Sequence, residues 1–212
     1  MFRPLESPVG ALMAVWVDAP PEIKPAFDEW YDTEHLPERR DCPGFLSAFR
    51  CEAIDGSAAQ LALYELASPE VLQSAPYLAL RYKPLTELGS KVRTNWKNHC
   101  RVDYRLRAAF GRKRIDAPFV YTVRLFPAPG HEAELRKWLD TEYAERLLGV
   151  PGCVSTHAFE PLSGAFHFLN VWGLENSGVP VSRAWQTASR TPRREQLAPY
   201  SPRSIEGIYR RA

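Results

Sequence analysis

The segment Trp30–Glu34 reads WYDTE, and Trp138–Glu142, 108 residues later, reads WLDTE. Holding that offset aligns Ala11–Glu65 with Phe119–Gly173 without a gap. Pro43-Gly44 then falls on Pro151-Gly152, and Val15, Pro21, Ser47, Glu52, Gly56 and Leu61 also recur. Twelve ungapped identities gathered into two motifs mark a repeat, so the chain must fold as something that half of it can form. The 212 residues divide into units 1–107 and 108–212, joined by a basic connector at 106–118, LRAAFGRKRIDAP.

Each unit carries the same signals. A strand rich in β-branched and aromatic residues comes first, ALMAVWV or FVYTVRL. A proline-containing turn, DAPPE or FPAPG, opens a helix. On that helix Ile23, Phe27, Trp30 and Glu34 share one stripe, as do His131, Leu135, Trp138 and Glu142. Pro-Gly starts a second strand, and DGS or SGA turns it into a third, giving a hairpin. Ser68-Pro69 opens a further helical region continued by APYLALRY, matched in the second unit by SRAWQTASR. HCRVDYRLR and SIEGIYRR close the two units. The order β-α-β-β-α-β is ferredoxin-like, with helices on one face of an antiparallel sheet. The other face needs cover, so the expected fold is α+β: two tandem ferredoxin-like units whose antiparallel sheets pair into an α/β barrel.

Composition narrows the function. Hydrophobic residues make up 45% and charged residues 25%, ordinary for a globular chain. A net charge of +2 leaves no whole-chain nucleic-acid footprint. The apolar run near the N-terminus is too short for a bilayer and lacks a basic segment and cleavage site, so a cytoplasmic location without a membrane partner is expected. Cys42, Cys51, Cys100 and Cys153 lack metal-ligand spacing and read as free thiols. The chain has no glycine-rich phosphate loop, no G-x-S-x-G and no nucleotide fingerprint, which disfavours phosphoryl transfer and nicotinamide chemistry.

The repeat sorts the polar cluster of the first helix. Trp30, Asp32, Thr33 and Glu34 recur, which assigns them to the shared frame: Trp30 on the sheet, Asp32 and Thr33 on the loop backbone before Pro43-Gly44. Glu34 lies on the inward stripe and needs a partner. His35 does not recur; Tyr143 stands there. Placed before Pro37 at a helix end, an imidazole is favoured as its cation by the helix dipole. Oriented by Asp32 or Glu34, it is a candidate general acid or base. Tyr64, Tyr77 and His99 are candidates to hold or polarise a substrate oxygen, and Trp30, Tyr82 and Trp96 to wall an aromatic pocket. His157 and His167 lie on neighbouring predicted strands, where they face one another, ligate a metal or haem, or sit as core residues. Glu34, His35 and Glu38 have part of a carboxylate-histidine spacing, but no second such motif exists, so no metal is expected. Arg112, Lys113, Arg114, Arg193 and Arg194 read as solvated loop residues.

EWYDTEHLPERRDCPGFLSAFR, LALYEL and SPEVLQSAPYLALR together resemble the dimeric α/β-barrel superfamily, and EthD-like proteins within it. The resemblance covers nearly all of the first unit and, more weakly, the second. It implies a ligand held between the sheet and the helix layer of one unit. The superfamily includes cofactor-free monooxygenases, cyclases, isomerases, lyases and haem enzymes. The leading expectation is a cofactor-independent lyase, isomerase or cyclase that transfers protons on a small apolar, aromatic catabolic or secondary metabolite. His35 would act, and only the first unit would be active. One alternative is a haem-dependent oxidoreductase, with His99, His157 or His167 as axial ligand, or a cofactor-free oxygen-using one. Another is a non-catalytic ligand-binding or stress-response barrel. A homodimer is the expected assembly.

Overall fold

The computed structural model describes residues 3–212; Met1 and Phe2, at the head of the first unit, lie outside the described residues. The first half runs β1 (Ala11–Asp18), α1 (Lys24–Trp30), a widened π turn (Tyr31–His35), α2 (Leu36–Arg40), β2 (Phe45–Gly56), β3 (Gln60–Leu66), α3 (Ala75–Tyr82), α4 (Glu87–Asn95) and β4 (Lys97–Phe110). The second runs β5 (Phe119–Phe126), α5 (Glu132–Trp138), a π turn (Leu139–Tyr143), α6 (Ala144–Leu148), β6 (Cys153–Pro161), β7 (Phe168–Leu174), α7 (Arg183–Ser189), α8 (Pro192–Leu197) and β8 (Arg203–Arg211).

The eight strands close one antiparallel barrel in the order β1-β3-β2-β8-β5-β7-β6-β4. The last strand of each half makes the closure. β4 pairs with β1 and crosses to β6, and β8 pairs with β5 and crosses to β2. The α+β reading, with two ferredoxin-like sheets joined into a barrel, is therefore correct. The connector is shorter than the sequence suggests, because Ala108, Ala109 and Phe110 are buried as strand against β6.

Alternation along the strands divides the core. On β1, Leu12, Ala14 and Trp16 point into the barrel, where they meet Phe49, Leu61, Tyr104, Phe159, Val171 and Tyr209 from both halves. Ala11, Met13, Val15 and Val17 point outward onto the helices. The barrel interior is filled by side chains from both halves, and two cavities lie between the outer sheet faces and their helices. Arg114, read as a solvated loop residue, instead bonds buried Glu65 at 3.0 Å. Arg193 and Arg194 lie on α8, with Arg193 paired to Glu134.

The first helix does not end at Pro37. The backbone N–H of Leu36 reaches back to the Tyr31 carbonyl, widening the turn by one residue, and α2 then continues to Arg40. Ala144 does the same to Leu139 in the second half, where no proline follows, so Pro37 is not the cause. Thr33 Oγ1 donates to the Glu29 carbonyl at 2.7 Å, and Thr141 Oγ1 to the Lys137 carbonyl at 2.6 Å. Neither threonine bonds the loop before Pro-Gly, which corrects that expectation.

Candidate active site

A cavity of about 240 Å³ opens between the outer face of β1, β3 and β4 and the helices α1–α4. The widened turn, a feature common at functional sites, puts Trp30, Tyr31, Glu34 and His35 all on the cavity side of one helix. Trp30 is held in place by Gly89 of α4, where any side chain would collide with the indole nitrogen. His35 lies against the Trp30 ring at 4.3 Å and edge-on to Tyr31 and Tyr64 at 5.1 and 6.1 Å. Neither His35 nitrogen has a protein hydrogen-bond partner among the described residues, so both are available to a ligand.

The sequence places His35 at a helix end as a cation, and the structure reverses this. Burial pushes its pKa well below the usual imidazole value, and Arg39, Arg93, Lys83 and Arg101 push it further the same way. It is a neutral base at neutral pH. Asp32 does not orient it: its carboxylate is turned away and taken by Arg50 of β2 at 3.1 Å. Glu34 does face the cavity, but accepts from Thr86 Oγ1 at 2.7 Å. Glu38 is held by Arg39 at 3.2 Å and by Lys83, so Glu34, His35 and Glu38 form no metal triad. Among the described residues no group of three His, Cys, Asp or Glu side chains is placed to hold a metal ion.

The remaining candidates divide. Tyr64 is buried in the wall, its hydroxyl beside that of Tyr31 without a well-formed hydrogen bond. Burial and the Tyr31 neighbour hold its pKa well above the usual phenol value, so it stays a donor. The Tyr31 pKa is pushed up to about 12, by burial first. Tyr77 Oη accepts from Arg101 at 2.6 Å and donates toward Met13 Sδ at 3.7 Å. Trp96 and His99 stack at 4.5 Å along the rim, with His99 exposed. Tyr82 is 74% exposed and outside the cavity. It lies five residues beyond Tyr77, roughly 140° round the helix, so both cannot face inward.

Tyr31, Arg39, Arg93 and Arg101 also line the cavity, and none of them stood out in the sequence. Tyr31 could have been found: Leu139 stands at its repeat position, as Tyr143 does at that of His35. The arginines come from three separate elements, and only the fold gathers them.

The histidines considered as haem ligands do not fit that role. His157 is buried in the barrel interior opposite Val171, and His167 precedes β7, roughly 13 Å away along the strand, so they do not face each other. Both His167 nitrogens are engaged, by Tyr104 Oη at 2.8 Å and the Ala165 carbonyl at 2.9 Å. His99 is an exposed rim residue. The cavity of about 240 Å³ is smaller than the roughly 300 Å³ at which drug-sized sites begin.

No helix among the described residues is long and apolar enough to cross a membrane. Cys42, Cys51, Cys100 and Cys153 are all unpaired. Both halves of the barrel come from one chain, so a second copy is not needed to complete this cavity.

No family model matches the chain, and no curated protein matches it. Solved structures do. A presumed monooxygenase of Fusobacterium nucleatum superposes with a TM-score of 0.65 at 7% identity, covering 98% of this chain and 94% of that one. An anthrone oxidase-like protein superposes at 0.65 and 10% identity, covering 100% and 94%. A chlorite dismutase variant of Candidatus Nitrospira defluvii superposes at 0.61 and 10% identity, covering 97% and 92%. What this chain shares with all three is its fold, two ferredoxin-like halves closed into one α+β barrel.

Proposed function

We propose that the first-half cavity is the active site of a cofactor-free enzyme that takes a proton from a small aromatic carbon acid or phenol and passes the anion to dioxygen. The observation that carries this reading is a neutral imidazole with both nitrogens free, walled by aromatic rings and ringed by cations. His35 accepts the proton. The negative charge moves to the substrate oxygen, where the field of Arg39, Arg93 and Arg101 and the protonated Tyr64 hydroxyl in the wall stabilise it. The imidazolium formed is met by the face of Trp30. For a methylene carbon acid the reaction balances as R₂CH₂ + O₂ → R₂C=O + H₂O. Two C–H bonds and the O–O bond break, and carbon is oxidised as dioxygen is reduced.

A lyase, isomerase or cyclase shares the first step and lacks the second. The oxygen step is preferred because the structural neighbours include a presumed monooxygenase and an anthrone oxidase-like protein. The test separates the two steps with 9-anthrone, each rate taken over the uncatalysed background. Anaerobic exchange of its methylene protons with deuterium reads proton abstraction, and oxygen uptake reads the oxidation. Wild type is expected to accelerate both, and His35→Ala to lose about 10²–10⁴-fold of each. Exchange without oxygen uptake would leave a proton-transfer enzyme. Neither activity, across a panel of phenols and cyclic ketones, would leave a binding barrel.

A further inference from the structure

We propose that the second half carries an independent, non-catalytic binding site for a planar aromatic ketone or quinone. A second cavity, of about 400 Å³, lies where the first does, between the outer face of β5, β7 and β8 and the helices α5, α7 and α8. That volume is within the range of small-molecule sites, roughly 300–1,000 Å³. Its walls are aromatic: Tyr143 packs on Trp138 at 4.5 Å and edge-on to Trp172 at 5.9 Å, and Trp172 meets Trp185 at 5.5 Å.

Three of the side chains in those walls carry buried donors without a protein acceptor. Trp138 Nε1, Trp172 Nε1 and Asn170 Nδ2 are all buried, and none has a hydrogen-bond partner among the described residues. An orphaned buried donor is costly, about 1–3 kcal/mol, and native structures carry few. Three around one cavity call for a ligand rich in acceptors. The first half has no such set, since Ala62 and Tyr64 stand where Asn170 and Trp172 do. Tyr143, in the place of His35, is a further donor: burial pushes its pKa up to about 12. The one carboxylate lining the cavity, Glu206, already accepts from Tyr121. The site therefore sets apolar aromatic walls beside buried N–H groups that lack an acceptor, with no free carboxylate in its lining.

The test uses 9-fluorenone, a neutral planar ketone, against fluorene, the same skeleton without the oxygen. The chain has six tryptophans, so its indole N–H signals can be followed individually by ¹⁵N NMR and assigned with Trp138→Phe and Trp172→Phe. Fluorenone is expected to shift the Trp138 and Trp172 signals, and fluorene to bind about tenfold more weakly or less. Asn170→Ala, which installs the residue the first half already tolerates as Ala62, is expected to weaken fluorenone about tenfold. It should leave turnover in the first cavity unchanged, and His35→Ala should leave fluorenone binding unchanged, so the two sites fail separately. Equal binding of the two probes, shifts confined to Trp30 and Trp96, no binding, or an Asn170→Ala variant that binds as wild type would each overturn the proposal.

Discussion

The two cavities occupy the same place on matching halves of one barrel and are built for different work. Three pairs of residues that recur at the 108-residue offset do the same job in both. Trp30 and Trp138 wall the cavities, Thr33 and Thr141 bond a carbonyl one turn back, and Asp32 and Asp140 each hold an arginine of the barrel. Other positions in or beside the cavity walls differ: His35 against Tyr143, Tyr64 against Trp172, Ala62 against Asn170, Met13 against Tyr121. Repetition marks the frame, and its absence marks the chemistry.

The largest effect should come from erasing that difference. His35→Tyr gives the first half the residue of the second, with a phenol in place of the base. It should lose as much turnover as His35→Ala, about 10²–10⁴-fold, while circular dichroism and the melting midpoint stay near wild type. Retained turnover in His35→Tyr would break the comparison at its centre.

Truncating the frame should instead unfold both halves alike. Trp30 is 4% exposed and Trp138 is 8% exposed, so either change to Ala should cost about 3–5 kcal/mol in urea unfolding. A Trp138→Ala variant of wild-type stability would show that the second half is not braced as the first is.

Acidification sharpens the contrast between base and frame. Burial lowers the pKa of His35, His157 and His167 in the folded state. The unfolded chain takes up protons near pH 6.5, where the folded chain resists them. The stability these groups contribute is whole above about pH 6.5 and declines as pH falls toward their folded values. The urea midpoint should therefore drop between pH 7.5 and pH 5. Over the upper part of that range kcat/KM should stay flat, because His35 remains neutral in the folded protein. An acid limb centred at or above pH 6.5 would show that His35 is a cation in the free enzyme.

Much of this was readable in the sequence, for definite reasons. The repeat exposed the element order, and the mismatch at His35 singled out the base, because both signals are local. α4 was not legible: Gly89 and Ser90 are poor signals for a helix, and it buries little beyond Val92 and the glycine under Trp30. With it went Arg93 and Thr86 of the cavity wall. The charge state of His35 was misread because burial in the folded protein sets it first, and Arg93, Lys83 and Arg101, far away along the chain, add to Arg39 one turn along the helix.

The smallest effect separates two aspartates that the sequence equates. The Asp140 side chain is 21% exposed and takes two hydrogen bonds from Arg107, at 2.7 and 2.6 Å. Arg107 is 11% exposed, and its other carboxylate, Glu160, is at 3.5 Å. Asp140→Asn therefore leaves a buried guanidinium poorly matched, at a cost of about 1.5–3 kcal/mol. Asp32 is 57% exposed, and Arg50 keeps a second partner in Asp28. Asp32→Asn should cost no more than about 1 kcal/mol, and should leave turnover within about twofold of wild type, since its carboxylate points away from His35. If Asp32→Asn lost turnover as severely as His35→Ala without losing stability, Asp32 would be orienting the imidazole during catalysis. A residue shared by both halves would then belong to the chemistry of one, and the division between repeated frame and unrepeated site would fail at that position.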